Sequence, residues 1–277
     1  MSDLLDRRTV LKRALVYGAG LGCGCVCGCR SAPVTGRKQL LFVPESSEVS
    51  MGQTAFADVV NKEPLTQNSR YEQIVQRVGM RIAGVSGRTD YQWETKVVAS
   101  DTQNAFCLPG GKIVVYEGIL PVCSNEAGLA VVMSHEVAHV LARHGGERMS
   151  QTAVVNGAQT LVGYVTRNQE QVRRDLMMKA YGLSTQYGFI LPYSRKHELE
   201  ADQIGILLMA QAGYDPAEAP RFWKRFAAAG QGPKPAEFMS THPSDERRAS
   251  DLEKELPKAL EVYARAQQPI GLGEQIV

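Results

Sequence analysis

Val131-Val132-Met133-Ser134-His135-Glu136-Val137-Ala138-His139-Val140-Leu141 is the stretch on which the reading of this chain turns. Apolar residues occupy nearly every position apart from one serine, two histidines and one glutamate. A helix with that pattern has no solvent face and belongs inside a core. His135 and His139 stand four apart, so both imidazoles leave the same side of the helix. Two imidazoles so placed can hold one divalent cation, and Glu136 falls where it reaches a water on that cation. The helix is expected to begin near Asn125 and to close near Gly145-Gly146.

A catalytic zinc usually takes three protein ligands and keeps a fourth position for water. A histidine ten residues after the first would supply the third, but position 145 is Gly and His144 misses that register by one. A later helix, predicted from Ser194 to Ala212, carries Glu198, Glu200 and Asp202. Glu198 and Asp202 are four apart and share a face. Glu198 is therefore the expected third ligand, and Asp202 its supporting acceptor, able to orient a ligated imidazole. Glu200 remains the alternative ligand. His144 and His197 read as surface or helix-end residues, and His242 lies in a Ser-Thr-His-Pro-Ser turn.

Outward from these helices, residues 45–60 and 67–84 carry helical apolar spacing, and Tyr91 to Ala99 alternates as a strand does. Lys112 to Tyr116 reads as a second strand, entered through Pro109-Gly110-Gly111. Residues 147–180 look largely helical, and 182–193 a loop placed to lie over the site. Asp215-Pro216 opens a further helix, and the last follows Pro243. Many helices and few strands predict a mainly helical α+β domain.

The formal net charge of +2 is carried by the first 28 residues, where Arg7, Arg8, Lys12 and Arg13 oppose Asp3 and Asp6. The remainder is balanced, which gives no electrostatic ground for nucleic-acid binding. Basic residues followed by the apolar run from Ala14 to Gly28 have signal-peptide architecture. Arg7-Arg8 resembles a twin-arginine signal, and Val26-Cys27-Gly28-Cys29 resembles a bacterial lipobox that would acylate Cys29. The expected organisation is a signal peptide over 1–29, a linker over 30–44, irregular and partly extended from Pro33 to Pro44, and a domain over 45–277. The expected setting is the cell envelope, lipid-anchored on the periplasmic side, at the outer membrane rather than the inner.

With these motifs in hand, the chain resembles the HtpX-like and CaaX-prenyl-protease-like zinc metallopeptidases, family forty-eight of the metallo class. Their signature is HExxH followed at a distance by ExxxD. Here His135 to His139 and Glu198 to Asp202 match it, with further matches at Pro33 to Gln39, Asn104 to Phe106, Leu108 to Gly111 and Thr241-His242-Pro243 with Arg248. The subgroup it looks closest to is the bacterial periplasmic lipoproteins. The resemblance implies a zincin-like fold and one zinc ion held by His135, His139 and Glu198. It also implies Glu136 as general base and His242 near the site, steadying the oxyanion. The expected function is endopeptidase hydrolysis of unfolded or misfolded envelope polypeptides. Gly111, Lys112, Ile113 and Val114 would hold the extended substrate by edge pairing. The alternative is a periplasmic chaperone or binding module whose groove is shaped by zinc. Assembly state is not legible.

Overall fold

A computed structural model describes residues 29–155, 194–229, 237–242 and 246–276. Its elements are β1 (Cys29–Ser31), β2 (Lys38–Leu40), α1 (Glu45–Lys62), α2 (Ser69–Val85), β3 (Glu94–Val98), β4 (Ala105–Leu108) and β5 (Lys112–Tyr116). They continue with α3 (Leu120–Cys123), α4 (Glu126–Leu141), α5 (His144–Val155), α6 (Arg195–Gln211), α7 (Glu218–Ala229), α8 (Glu237–Thr241) and α9 (Glu246–Tyr263). This is the mainly helical α+β architecture expected. The leader, the 182–193 loop and most of the helix expected over 147–180 lie outside the described residues.

The histidine-bearing helix α4 is the centre of the fold. Asn125 caps it by accepting from the Gly128 N–H at 2.9 Å, and all its residues except Leu141 are buried. It packs most extensively against α6, β4 and α2. Its start is also held by residues 272–276. Glu126 and Ala127 donate their N–H groups to the carbonyls of Glu274 and Leu272, both at 3.0 Å, and Ile276 donates to Ser124 O at 2.8 Å. Those two helix-start donors would otherwise lack partners.

Three expectations are corrected. First, the sheet order is β3-β5-β4, with β3 parallel and β4 antiparallel to β5. The strand Lys112–Tyr116 is therefore central, and its backbone is already paired on both sides. Gly111, Lys112, Ile113 and Val114 cannot receive a substrate by edge pairing. Gly110 and Gly111, with φ of +91° and +84°, instead make the tight turn from β4 into β5.

Second, Gly145 and Gly146 do not stop α4. The helix ends at Leu141, and Arg143 at φ +53° turns the chain so that α5 starts at His144. Gly146 lies inside α5 because the Glu48 carboxylate occupies the space a β-carbon would need. Third, the partly extended linker expected over 30–44 is a paired hairpin over its first part. Residues 29–40 fold into the β1–β2 hairpin, closed by Ala32 N–H donating to Arg37 O at 2.8 Å, with Val34 and Gly36 at positive φ.

Candidate metal centre

His135 and His139, one turn apart on α4, bring their Nε2 atoms to 3.0 Å. Helix α6 supplies the acids. Ser194 caps it by accepting from the His197 N–H, and the helix crosses α4 with Gly205 against the backbone of His135. That close approach sets Glu198 Oε2 at 3.4 Å from His135 Nε2 and Oε1 at 3.4 Å from His139 Nε2. His242, just past α8, places Nδ1 at 3.2 Å from both Glu198 oxygens and 3.3 Å from His135 Nε2. One ligand-type atom from each of His135, His139, Glu198 and His242 lies within 4.8 Å of the others, and all four residues are buried.

Hydrogen-bond partners assign the tautomers. Asp202 Oδ1 lies 3.0 Å from His135 Nδ1, so that nitrogen carries the proton. Burial alone would raise the Asp202 carboxyl, but Arg248 and His135 outweigh it and hold it below its usual range. Glu200 Oε2 lies 2.9 Å from His144 Nε2, which leaves His144 Nδ1 to accept from His139 Nδ1–H at 2.8 Å. Both Nε2 atoms therefore face each other across 3.0 Å beside the Glu198 carboxylate. Burial and Arg248 would lower His135, but bonds to Asp202 and Glu198 outweigh them and hold it above the usual histidine range. Burial and the adjacent His135 hold His139 well below the usual histidine range, in its neutral ligand form. Nitrogen and oxygen lone pairs converging in this way fit a zinc-type divalent cation.

Glu136 lies beside the cluster. Its Oε1 is buried with no hydrogen-bond partner among the described residues, and His242 Nε2 is 3.3 Å away. Burial pushes the Glu136 carboxyl up to about 7, against the opposing pull of His242. Sequence reasoning quoted Arg248 without giving it a task. In the structure its guanidinium grips Asp202 through Nε–Oδ2 at 2.8 Å and Nη2–Oδ1 at 2.6 Å, reaches Glu198 Oε2 at 3.0 Å and lies 3.5 Å over the Trp223 ring.

His144 and His197 are a further correction. They do stand at helix starts, but both are buried and stacked with ring centroids 4.4 Å apart. Glu200, the alternative ligand, faces His144 rather than the cluster. Cys107 and Cys123 are buried free thiols. Cys29 opens β1 opposite Leu40.

A family model described as Peptidase family M48 matches residues 68–256. The mitochondrial metalloendopeptidase OMA1 of Schizosaccharomyces pombe is 40% identical over 250 residues, covering 89% of this chain and 71% of that protein. Its namesake in Saccharomyces cerevisiae is 31% identical over 285 residues, covering 96% and 79%. The beta-barrel assembly-enhancing protease of Escherichia coli is 26% identical over 208 residues, covering 74% and 42%. These matches overturn the expected placement as a lipid-anchored protein of the bacterial outer membrane and give the lipoprotein subgroup no support, because the more similar relatives are mitochondrial and the bacterial one is more distant. No helix among the described residues is long and apolar enough to cross a membrane. The matched region contains the histidine pair, Glu136, Glu198 and the Arg248 grip together, so the chain belongs to peptidase family M48, the zinc-dependent metallopeptidases.

Proposed function

We propose that the chain is an endopeptidase that hydrolyses unfolded polypeptide, with Glu136 as its general base. The observation that carries this is the buried, unbonded Glu136 Oε1 beside four converging ligand atoms. His135, His139 and Glu198 are the residues proposed to hold the zinc, and Asp202 and Arg248 hold His135 and Glu198 in place. When bound, zinc lowers the pKa of a water from about 15.7 to near 7 and polarises the scissile carbonyl.

Glu136 takes the proton of the attacking water at Oε1 and hands it to the leaving amine. Burial raises the Glu136 carboxyl above its usual range, which strengthens it as a proton acceptor. His242, 3.3 Å from Glu136, steadies the charge that develops on the carbonyl oxygen. The outer edge of β4, next to α4, has no strand beside it among the described residues. This edge, in place of the interior β5, is proposed to pair with the extended substrate, reading backbone more than side chain. A binding module without catalysis gives Glu136 no task at this position.

The test compares wild type with Glu136→Gln on unfolded casein, with zinc content measured on both. The variant is expected to keep zinc and to lose hydrolysis by 100-fold or more, about the contribution of a positioned acid–base group. Equal hydrolysis by the two proteins overturns the mechanism.

A further inference from the structure

We propose that Arg37, carried by the β1–β2 hairpin, is a positioning residue for the metal centre: through Glu200 and His144 it fixes the ring of His139. The inference rests on His139 being a metal ligand, as proposed above.

The chain of contacts is continuous, part-buried at Arg37 and fully buried from the two carboxylates inward. Arg37 donates from Nε to Glu200 Oε2 at 2.7 Å, from Nη1 to Glu147 Oε1 at 2.8 Å and from Nη2 to Glu147 Oε2 at 2.7 Å. Two more groups of the same hairpin join it. Thr35 Oγ1 donates to Glu200 Oε1, and Gln39 Nε2 donates to Glu147 Oε2 at 3.0 Å and to Ala142 O at 2.5 Å. Glu200 then accepts from His144 Nε2, and His144 Nδ1 accepts from His139 Nδ1. Glu147 also meets His197 Nε2 at 3.2 Å, and His197 stacks on His144, so that ring is gripped from its face as well as its edge. Glu147, Glu200, His144 and His197 are all buried.

One guanidinium serves two buried carboxylates here. Its planar fork holds donors in fixed directions, so it sets the position of both acids at once; a single ammonium on a flexible stem cannot. Without Arg37 the two acids repel each other in a poorly solvated space, and Glu200 swings away from His144. His144 then loses Glu200 as the acceptor for its Nε2 proton. A tautomer with the proton on Nδ1 sets two N–H groups head to head at 2.8 Å, and His139 must rotate or move its own proton to Nε2. Either change withdraws the Nε2 lone pair from the cluster. Outer partners of ligated histidines are typically worth 10–100-fold in metal affinity.

The experiment measures cobalt(II) and zinc affinity of the full chain by competition with a chromophoric chelator. It is read together with the visible absorption of the cobalt form and the melting of the metal-free protein. Arg37→Met is expected to bind metal 10–100-fold more weakly, with an altered cobalt spectrum. Arg37→Lys should recover part of the affinity and not the spectrum. Because Arg37 acts through His144, the loss in Arg37→Met/His144→Phe should not exceed that of His144→Phe alone.

Wild-type affinity and spectrum in Arg37→Met, or full additivity in the double variant, overturns the inference and leaves the metal centre standing. Should Arg37→Met fail to fold, Arg37→Lys decides: a wild-type cobalt spectrum there overturns the inference. A wild-type chain that binds no divalent metal overturns the metal-centre reading, and this inference with it.

Discussion

Gly205 is where α6 lies on α4, and a single methyl group there tests whether that contact sets the metal site. A β-carbon on residue 205 would stand 3.1 Å from His135 N, 3.2 Å from His135 Cα and 3.3 Å from Ser134 C. Ordinary contact begins near 3.4 Å, and all three neighbours are backbone, so α6 must withdraw by a few tenths of an ångström. Glu198 stands seven residues earlier on the same helix, about 10 Å along its axis, and moves with it. Two effects compete in Gly205→Ala. Helix propensity favours alanine by about 1 kcal/mol, whereas overpacking costs roughly 1–3 kcal/mol. The balance is a loss of about 0–2 kcal/mol, and Gly205→Val, which gains less propensity and adds more bulk, loses more. Metal sites tolerate distance errors of about 0.2 Å, so zinc affinity should fall in both variants even where stability barely moves. The assay pairs urea denaturation of the metal-free protein with a zinc competition titration. A Gly205→Ala protein that is stabilised by the full propensity term, with zinc affinity unchanged, refutes the idea that this crossing positions Glu198.

Other consequences can be checked separately. Asp202→Asn keeps the shape of the side chain but loses the charge shared by His135 and Arg248, so zinc affinity should drop about 10–100-fold; competition titration reads this, and a change under twofold counts against it. Arg143 donates to Glu48 at 2.6 Å, both side chains are nearly buried, and burial pushes the Glu48 carboxyl up despite that partner. Glu48→Ala should cost about 3–5 kcal/mol, lowering the melting temperature by about 6–20 °C, whereas Glu48→Leu with Arg143→Met should melt near wild type. Burial would raise the Glu147 carboxyl, but bonds from Arg37, His197 and Gln39 hold it well below the usual carboxylate range. Its contribution to stability is therefore complete above about pH 4.3 and fades as pH falls further. Arg37→Met should shift acid unfolding, followed by circular dichroism, to higher pH; an unmoved midpoint argues against it.

The parts of this molecule legible in the sequence are those set by local pattern. An apolar run around HExxH has to be a buried helix, and Glu198 with Asp202 four residues on has to share a face. Both follow from 3.6-residue periodicity. The parts that were missed depend on distant partners. Ala105–Leu108 is buried throughout and does not alternate, so nothing local marks it as a strand at the edge of the sheet. The central place of Lys112–Tyr116 follows from pairing with segments on both sides of it in the chain. Thr35 to Gln39, rich in polar and turn-forming residues, reads as solvated chain; it is buried in part because Glu147 and Glu200 wait for it more than a hundred positions away. His144 reads as a surface or helix-end residue, and its burial is hidden for the same reason. The misplaced cellular setting has another cause. Basic residues ahead of an apolar run are a composition, and a composition names no single compartment.

The clasp between residues 124–127 and 272–276 has a consequence for timing. About 150 positions separate the two strips that meet there, so the pairing belongs to the slow, non-local class of contacts. While the polypeptide is emerging from a ribosome, the first turn of the histidine helix has no carbonyls to close it. The segment that supplies them is made only after every proposed metal-binding side chain. The proposed metal centre thus gains this brace only once residues 272–276 have been made, later than all four of its clustered side chains.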